Sequence, residues 1–161
     1  MAYSSQITTG HLSVIRFDPE REAVVSEPKE ILKSSKGASR PSLSPDGRWL
    51  AYNSSEQEEE LFITSVDGSG LRQLTSGGHR NRGPRWSPDG KHIAFFSTRS
   101  GDWEIWTSDF NGEQLRQVTN LAGYNVAWPV WSPDGKRLVW VSDRNAKQPR
   151  EFNVFIADWA P

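Results

Sequence analysis

The chain has no cysteine, which excludes disulfides, thiolate metal sites and cysteine nucleophiles. Histidine is scarce too. His11, His79 and His92 are the only three; they fall in different parts of the chain's repeating pattern, and a histidine-based metal site needs two or more to converge. An excess of one charge sign is also lacking. Nineteen basic residues stand against 20 acidic ones, a net charge of −1, whereas a nucleic-acid binder normally carries a basic excess or stripe. No nucleic-acid partner is expected. No apolar run approaches the ~18 residues of a membrane-spanning helix, so no membrane insertion is expected. The segment from Met1 to Gly10 lacks the basic and apolar regions of a signal peptide, and nothing in it directs export.

What the chain does have is aromatic side chains. Eight Trp, seven Phe and three Tyr accompany a single Met in 161 residues. A polar chain so dense in aromatics fits many short, half-buried strands better than a few thick helices. One acidic run, Glu56, Gln57, Glu58, Glu59 and Glu60, reads as a solvated loop.

Ser-Pro-Asp-Gly occurs three times, at Ser44 to Gly47, Ser87 to Gly90 and Ser132 to Gly135. Asp46 and Asp89 are 43 residues apart, and Asp89 and Asp134 are 45 apart. Periods of this length signal arrays or propellers. Each copy leads through a basic residue into a short apolar strand: Leu50-Ala51-Tyr52, Ile93-Ala94-Phe95 or Leu138-Val139-Trp140. A polar loop and a second strand follow, Leu61-Phe62-Ile63, Glu104-Ile105-Trp106 or Val154-Phe155-Ile156. Asp67-Gly68 and Asn111-Gly112 then supply hairpin turns. The closing strands, Leu71 to Thr75 and Leu115 to Thr119, are nearly identical.

Within the motif, proline presets φ for a tight turn and aspartate accepts hydrogen bonds from nearby backbone N–H groups. The glycine can take the positive φ that closes the turn. These aspartates therefore read as structural. The strand before each turn contains Pro41, Pro84 or Pro129, which is tolerable only at a sheet edge. Trp86 and Trp131, just before the later turns, are expected to fill the space between neighbouring blades.

Two copies, Gly83-Pro84-Arg85-Trp86-Ser87-Pro88-Asp89-Gly90 and Pro129-Val130-Trp131-Ser132-Pro133-Asp134-Gly135, resemble the repeat of the TolB-like β-propeller family, a WD40-like unit. The first copy departs from it, with Leu43 in place of Trp. The resemblance spans Ala2 to Trp159 and implies an all-β fold, a partial β-propeller of about three and a half four-stranded antiparallel blades. The divisions expected are an incomplete blade at 1–38, blades at 39–81 and 82–126, and an incomplete blade at 127–161. Ala2 to Ser5 would begin inside a second strand, with His11 to Asp18 and Pro28 to Lys33 as third and fourth strands. Half a propeller means either a piece of a longer protein or self-association, with Pro28 to Lys33 of one copy completing the last blade of another as a homodimer.

Chemistry is sparse. No Gly-x-Ser-x-Gly elbow marks a hydrolase, and Gly77-Gly78 leads into a strand, not a phosphate-binding helix. Carboxylate pairs such as Asp102 with Glu104, or Asp67 with Asp109, read as loop and turn residues. No catalytic residue, metal site or cofactor is expected. What remains is the face where propeller loops ring the channel mouth: His79, Arg80, Arg82, Arg99, Asp102, Tyr124, Asn125, Asp143 and Arg144. Arginine among tyrosine and asparagine suits an anionic or peptide ligand. The resemblance implies a non-catalytic protein- or peptide-binding scaffold of the bacterial periplasm or envelope. The alternative it leaves is the propeller portion of an enzyme, a peptidase gating domain or a carbohydrate-active lyase.

Overall fold

The computed structural model describes residues 3–4, 11–33, 37–55, 59–149 and 151–160. Among the described residues the strands form five antiparallel sheets, four of them placed side by side and one a two-stranded pair. The first holds β1 (Tyr3–Ser4), β2 (His11–Val14) and β5 (Lys29–Lys33) in that order. The second holds β6 (Ser39–Leu43), β7 (Trp49–Asn53), β8 (Leu61–Ser65) and β9 (Arg72–Gln73). The third repeats it with β10 (Asn81–Trp86), β11 (His92–Ser97), β12 (Glu104–Asp109) and β13 (Arg116–Gln117). The last has β14 (Val126–Trp131), β15 (Arg137–Ser142) and β16 (Asn153–Asp158). The fold is all-β, a partial propeller. The stretch from His11 to Asp18 is not one strand: β3 (Phe17–Asp18) turns away to pair with β4 (Ala23–Val24). Asp18 breaks the strand by accepting from the N–H groups of Glu20 and Arg21, an aspartate turn.

Apolar runs such as Ile93 to Phe96 are explained by burial on both faces of a sheet. Ile93 and Phe95 pack toward the second sheet with Ala51, Leu61, Ile63 and Trp86. Ala94 and Phe96, pointing the other way, pack toward the last sheet with Ile105, Leu138 and Trp140. The period of two along a strand divides one run between two cores. Each large side chain fully buried there contributes about 1.5–3 kcal/mol. A third core, with Leu12, Ile31, Leu50 and Tyr52, joins the first two sheets, and Leu43 lies half-buried against it.

The three turns are built identically. The Ser44 hydroxyl donates to Asp46 Oδ1 and accepts from the Trp49 N–H at 2.9 Å, while the Arg48 N–H reaches Asp46 at 3.0 Å. Ser87 with Asp89 and Ser132 with Asp134 repeat the pattern. Gly47, Gly90 and Gly135 have φ of 72°, 71° and 69°. Trp86 and Trp131 do more than fill space. Each indole donates to a carbonyl of the preceding sheet's first strand, Trp86 to Ser42 at 3.1 Å and Trp131 to Arg85 at 3.0 Å.

The acidic run is not a solvated loop where it is described: Glu59 and Glu60 are 8% and 6% exposed, while Glu56, Gln57 and Glu58 lie outside the described residues. Glu60 accepts from the Thr75 hydroxyl and from the Asn81 amide, the latter at 2.9 Å, so it ties the second sheet to the third. Glu104 is likewise no loop residue. It sits on β12, 2% exposed, and accepts from the Thr119 hydroxyl and the Leu121 N–H. Burial of each carboxylate is offset by these donors. Asp67 and Asp109 are turn residues, accepting from the backbone N–H groups of Ser69 and Asn111.

Two outcomes follow from these contacts. Trp86→Phe removes one inter-sheet hydrogen bond and part of the indole's packing, so urea denaturation should show a loss of about 1–3 kcal/mol. The second concerns acid. The hydroxyl of Ser44 and the Arg48 N–H hold Asp46 below the ordinary 3.8, and Ser132 and Lys136 do the same for Asp134. At Asp89 partial burial pulls upward, but the Ser87 hydroxyl and Lys91 N–H outweigh it. Depressed folded-state values mean a contribution present above pH 3.8 and lost as pH falls through them. The Asp46→Asn, Asp89→Asn, Asp134→Asn triple variant should therefore show a flatter stability–pH curve below pH 4 than the parent.

Candidate functional site

β6, β10 and β14 contact one another in succession and form the inner edges of their sheets. All three break register with β7, β11 and β15 at the same place, between Ser39 and Ser42, Arg82 and Arg85, and Ala127 and Val130. The two residues inside each bulge are Arg40-Pro41, Gly83-Pro84 and Trp128-Pro129. The proline has no N–H to give a ladder, and the bulge removes the need for one. Arg40, Gly83 and Trp128 all take the left-handed conformation, at φ 52°, 61° and 58°. Glycine adopts it freely, but Arg40 and Trp128 each hold it at a cost of roughly 1–2 kcal/mol.

At Gly83 no side chain would fit, since a Cβ would stand 2.8 Å from the Phe96 ring. Phe96 lies 5.2 Å from Trp103 and 5.3 Å from Trp128, centroid to centroid. Two guanidiniums cover this aromatic floor. Arg82 sits 4.9 Å from the Trp103 centroid and Arg40 sits 5.4 Å from that of Trp128. Such stacking contributes about 0.5–2 kcal/mol, more as water is excluded. Glu59 pairs with Arg82 and stands 3.7 Å from Arg80. Burial and then the charge of Arg82 pull the Arg40 guanidinium below its ordinary value, while Glu59 pulls it up. Burial and then Arg40 lower Arg85 in the same way. The inner edge is thus a concentration of positive charge on aromatic rings, with Glu59 as its counter-charge.

The loop residues anticipated from sequence divide into groups. Arg80 and Arg82 share Glu59. Asp102 accepts from the Gly123 N–H at 2.9 Å, and Asp143 accepts from the Asn125 N–H and amide at 2.7 and 2.6 Å, so these three residues tie neighbouring loops together. His79 is half-buried, its carbonyl accepting from Asn81 at 3.1 Å. Arg99 lies over Trp106 at 5.9 Å, with Nε and one terminal nitrogen buried and unbonded. Tyr124 and Arg144 are exposed, and no ion pair or ring contact brings either to the Arg40–Arg82 cluster. Sequence reasoning missed Arg40, Arg85, Trp103, Trp128 and Glu59. A signal existed for two of them, because Arg40 and Trp128 occupy the position before proline where the middle copy has glycine. Among the described residues, no group of three or more His, Asp or Glu side chains is placed to hold a metal ion.

The same repeat architecture matches the model of the TolB beta propeller domain over residues 12–159. The chain belongs to that family. It is 35% identical over 89 residues to the dipeptidyl-peptidase 5 of Porphyromonas endodontalis, a match covering 51% of this chain and 13% of the peptidase. It is 42% identical over 69 residues to the Tol-Pal system protein TolB of Zymomonas mobilis, covering 41% of this chain and 15% of that protein. Among solved structures, a candidate TolB from Agrobacterium tumefaciens superposes with a TM-score of 0.73 at 28% identity, over 92% of this chain and 56% of that one. The chain thus spans a small fraction of these curated relatives and about half of the solved one.

Proposed function

We propose that the chain is a non-catalytic scaffold that binds a protein or peptide along its inner edge and the adjoining loops. The observation that carries this reading is the pair Arg40 and Arg82 over the aromatic floor of Phe96, Trp103 and Trp128, with Arg85 on the same inner strand as Arg82. Rigid aromatic rings and arginine are the side chains that dominate binding energy at protein interfaces. The loop residues His79, Arg80, Arg99, Asp102, Tyr124, Asn125, Asp143 and Arg144 form the rim of the proposed surface. A TolB of the Tol-Pal system among the relatives supports a protein partner, and an envelope location goes with that likeness.

A second reading is favoured by the match to dipeptidyl-peptidase 5: the propeller portion of a peptidase, where the inner edge would guide peptides toward a catalytic domain. Selection of peptides from a displayed library on the purified chain tests the first reading. Enriched peptides should bind Arg82→Gln about tenfold more weakly, or worse; equal binding to the variant rejects it. Enrichment of many weakly bound peptides with no shared sequence would favour the second, in which the inner edge guides substrates and hydrolysis belongs to the catalytic domain.

The scaffold reading extends to self-association. The last sheet turns Val130, Val154 and Ile156 outward, 52%, 71% and 60% exposed, and a second copy would cover them. Exchange of Lys29–Lys33 between copies would require β5 to leave β2, with which it pairs from His11 to Val14. Light scattering coupled to size exclusion should give a dimer mass, converted to a monomer by Val154→Asp with Ile156→Asp; a monomeric parent chain rejects self-association.

A further inference from the structure

The inner edge holds more hydrogen-bond donors than it uses. A guanidinium carries five N–H donors in a fixed plane. Among the described residues, Arg85 spends one of them on the neighbouring Pro84 carbonyl at 2.9 Å, and Arg40 one on the Ser39 hydroxyl at 3.4 Å. Among the described residues neither forms an ion pair with a carboxylate; Glu59, whose charge reaches Arg40, pairs with Arg82 and stands beside Arg80. Arg40 and Arg85 lie on β6 and β10, strands that contact each other, and the charge of Arg40 opposes that of Arg85. Two half-buried like charges with idle donors are a costly arrangement that an anion would relieve.

Geometry sharpens this. The Arg40 guanidinium lies over Trp128, its central carbon 5.4 Å from the ring centroid, and the N–H groups it does not spend on Ser39 suit a planar, two-point acceptor. Trp128 is itself 46% exposed, a large apolar ring held at positive φ beside the charge. Strain of this kind in two equivalent inner-strand positions, where the third position has glycine, is the mark of side chains held for a purpose other than folding.

We propose that Arg40 and Arg85, beside the exposed ring of Trp128, form a binding slot for a carboxylate carried by an acidic peptide. The guanidinium edges take the carboxylate oxygens and the indole covers the apolar stem of the residue that bears them or of its neighbour. A carboxylate fits better than a phosphate because it is planar, carries one charge and gives up its water more readily in a half-buried, aromatic-walled site. This inference rests on the scaffold reading and names the ligand class of its surface.

The test is isothermal titration of the whole chain with the peptide acetyl-Gly-Phe-Asp-Glu and with its neutral counterpart, acetyl-Gly-Phe-Asn-Gln-amide. The acidic peptide should bind saturably, and the neutral one at least about tenfold more weakly, as loss of a charged hydrogen bond requires. Arg40→Gln and Arg85→Gln should each weaken the acidic peptide by a similar factor, whereas Arg21→Gln, on the remote β3–β4 turn, should not. Arg40→Gly guards against misfolding as the cause. Glycine suits the φ of 52° at that position, so this variant should keep or raise the melting temperature and still lose the peptide. Equal binding of the two peptides, or indifference to Arg40 and Arg85, overturns the slot. So does tighter binding of inorganic phosphate or of trigalacturonate, which would make the ligand another anion. If library selection yields non-acidic peptides that need Arg82 but not Arg40 or Arg85, the scaffold stands and the carboxylate slot falls.

Discussion

A sheet with apolar residues on both faces can be stable in water only between two other sheets, and this two-sided burial is the constraint on which the rest of the molecule depends. β7 and β11 show it most clearly. Ala51 faces one core and Leu50 and Tyr52 the other; Ile93 and Phe95 face one and Ala94 and Phe96 the next. Burial alone is not directional. The indole bonds from Trp86 to Ser42 and from Trp131 to Arg85 fix how far each sheet advances on the last. The buried Glu60, reaching from Thr75 to Asn81, does the same nearer the loops.

Packing sheets around a common edge brings their first strands together, and the inner edge acquires its properties from that crowding. The prolines of β6, β10 and β14 force a bulge in each. The bulge sets the residue before it at positive φ, and the side chain at that position is then the variable element from sheet to sheet. Where it is glycine, Phe96 rises against the backbone and becomes the floor. Where it is arginine or tryptophan, the chain accepts strain and gains a guanidinium and an indole over that floor. Structural repeat and local variation thus come from the same few residues.

Much of the fold was legible beforehand because its signals are local. Ser-Pro-Asp-Gly specifies a turn through its own atoms, and the hydroxyl, carboxylate and N–H groups that satisfy one another lie within five residues. The spacing of the turns and the alternation of the strands between them followed directly. The site was legible only in part. Arg80 and Arg82 stood out as loop arginines, but Glu59 was lost in an acidic run because its partner lies 23 residues away. The carboxylates misread as solvated, Glu59 and Glu60, are those whose donors come from a later strand or loop.

The sequence by itself determined the repeat, the turns and the edge position of the proline-bearing strands. Each is set by contacts within one repeat and by the period of two along a strand. Only the tertiary structure decided which side chains share the inner edge. Arg40, Arg85 and Trp128 belong to three different repeats, and their meeting depends on the angle and advance of one sheet upon the next. That geometry is the sum of many side-chain contacts across two interfaces, and no local pattern encodes it.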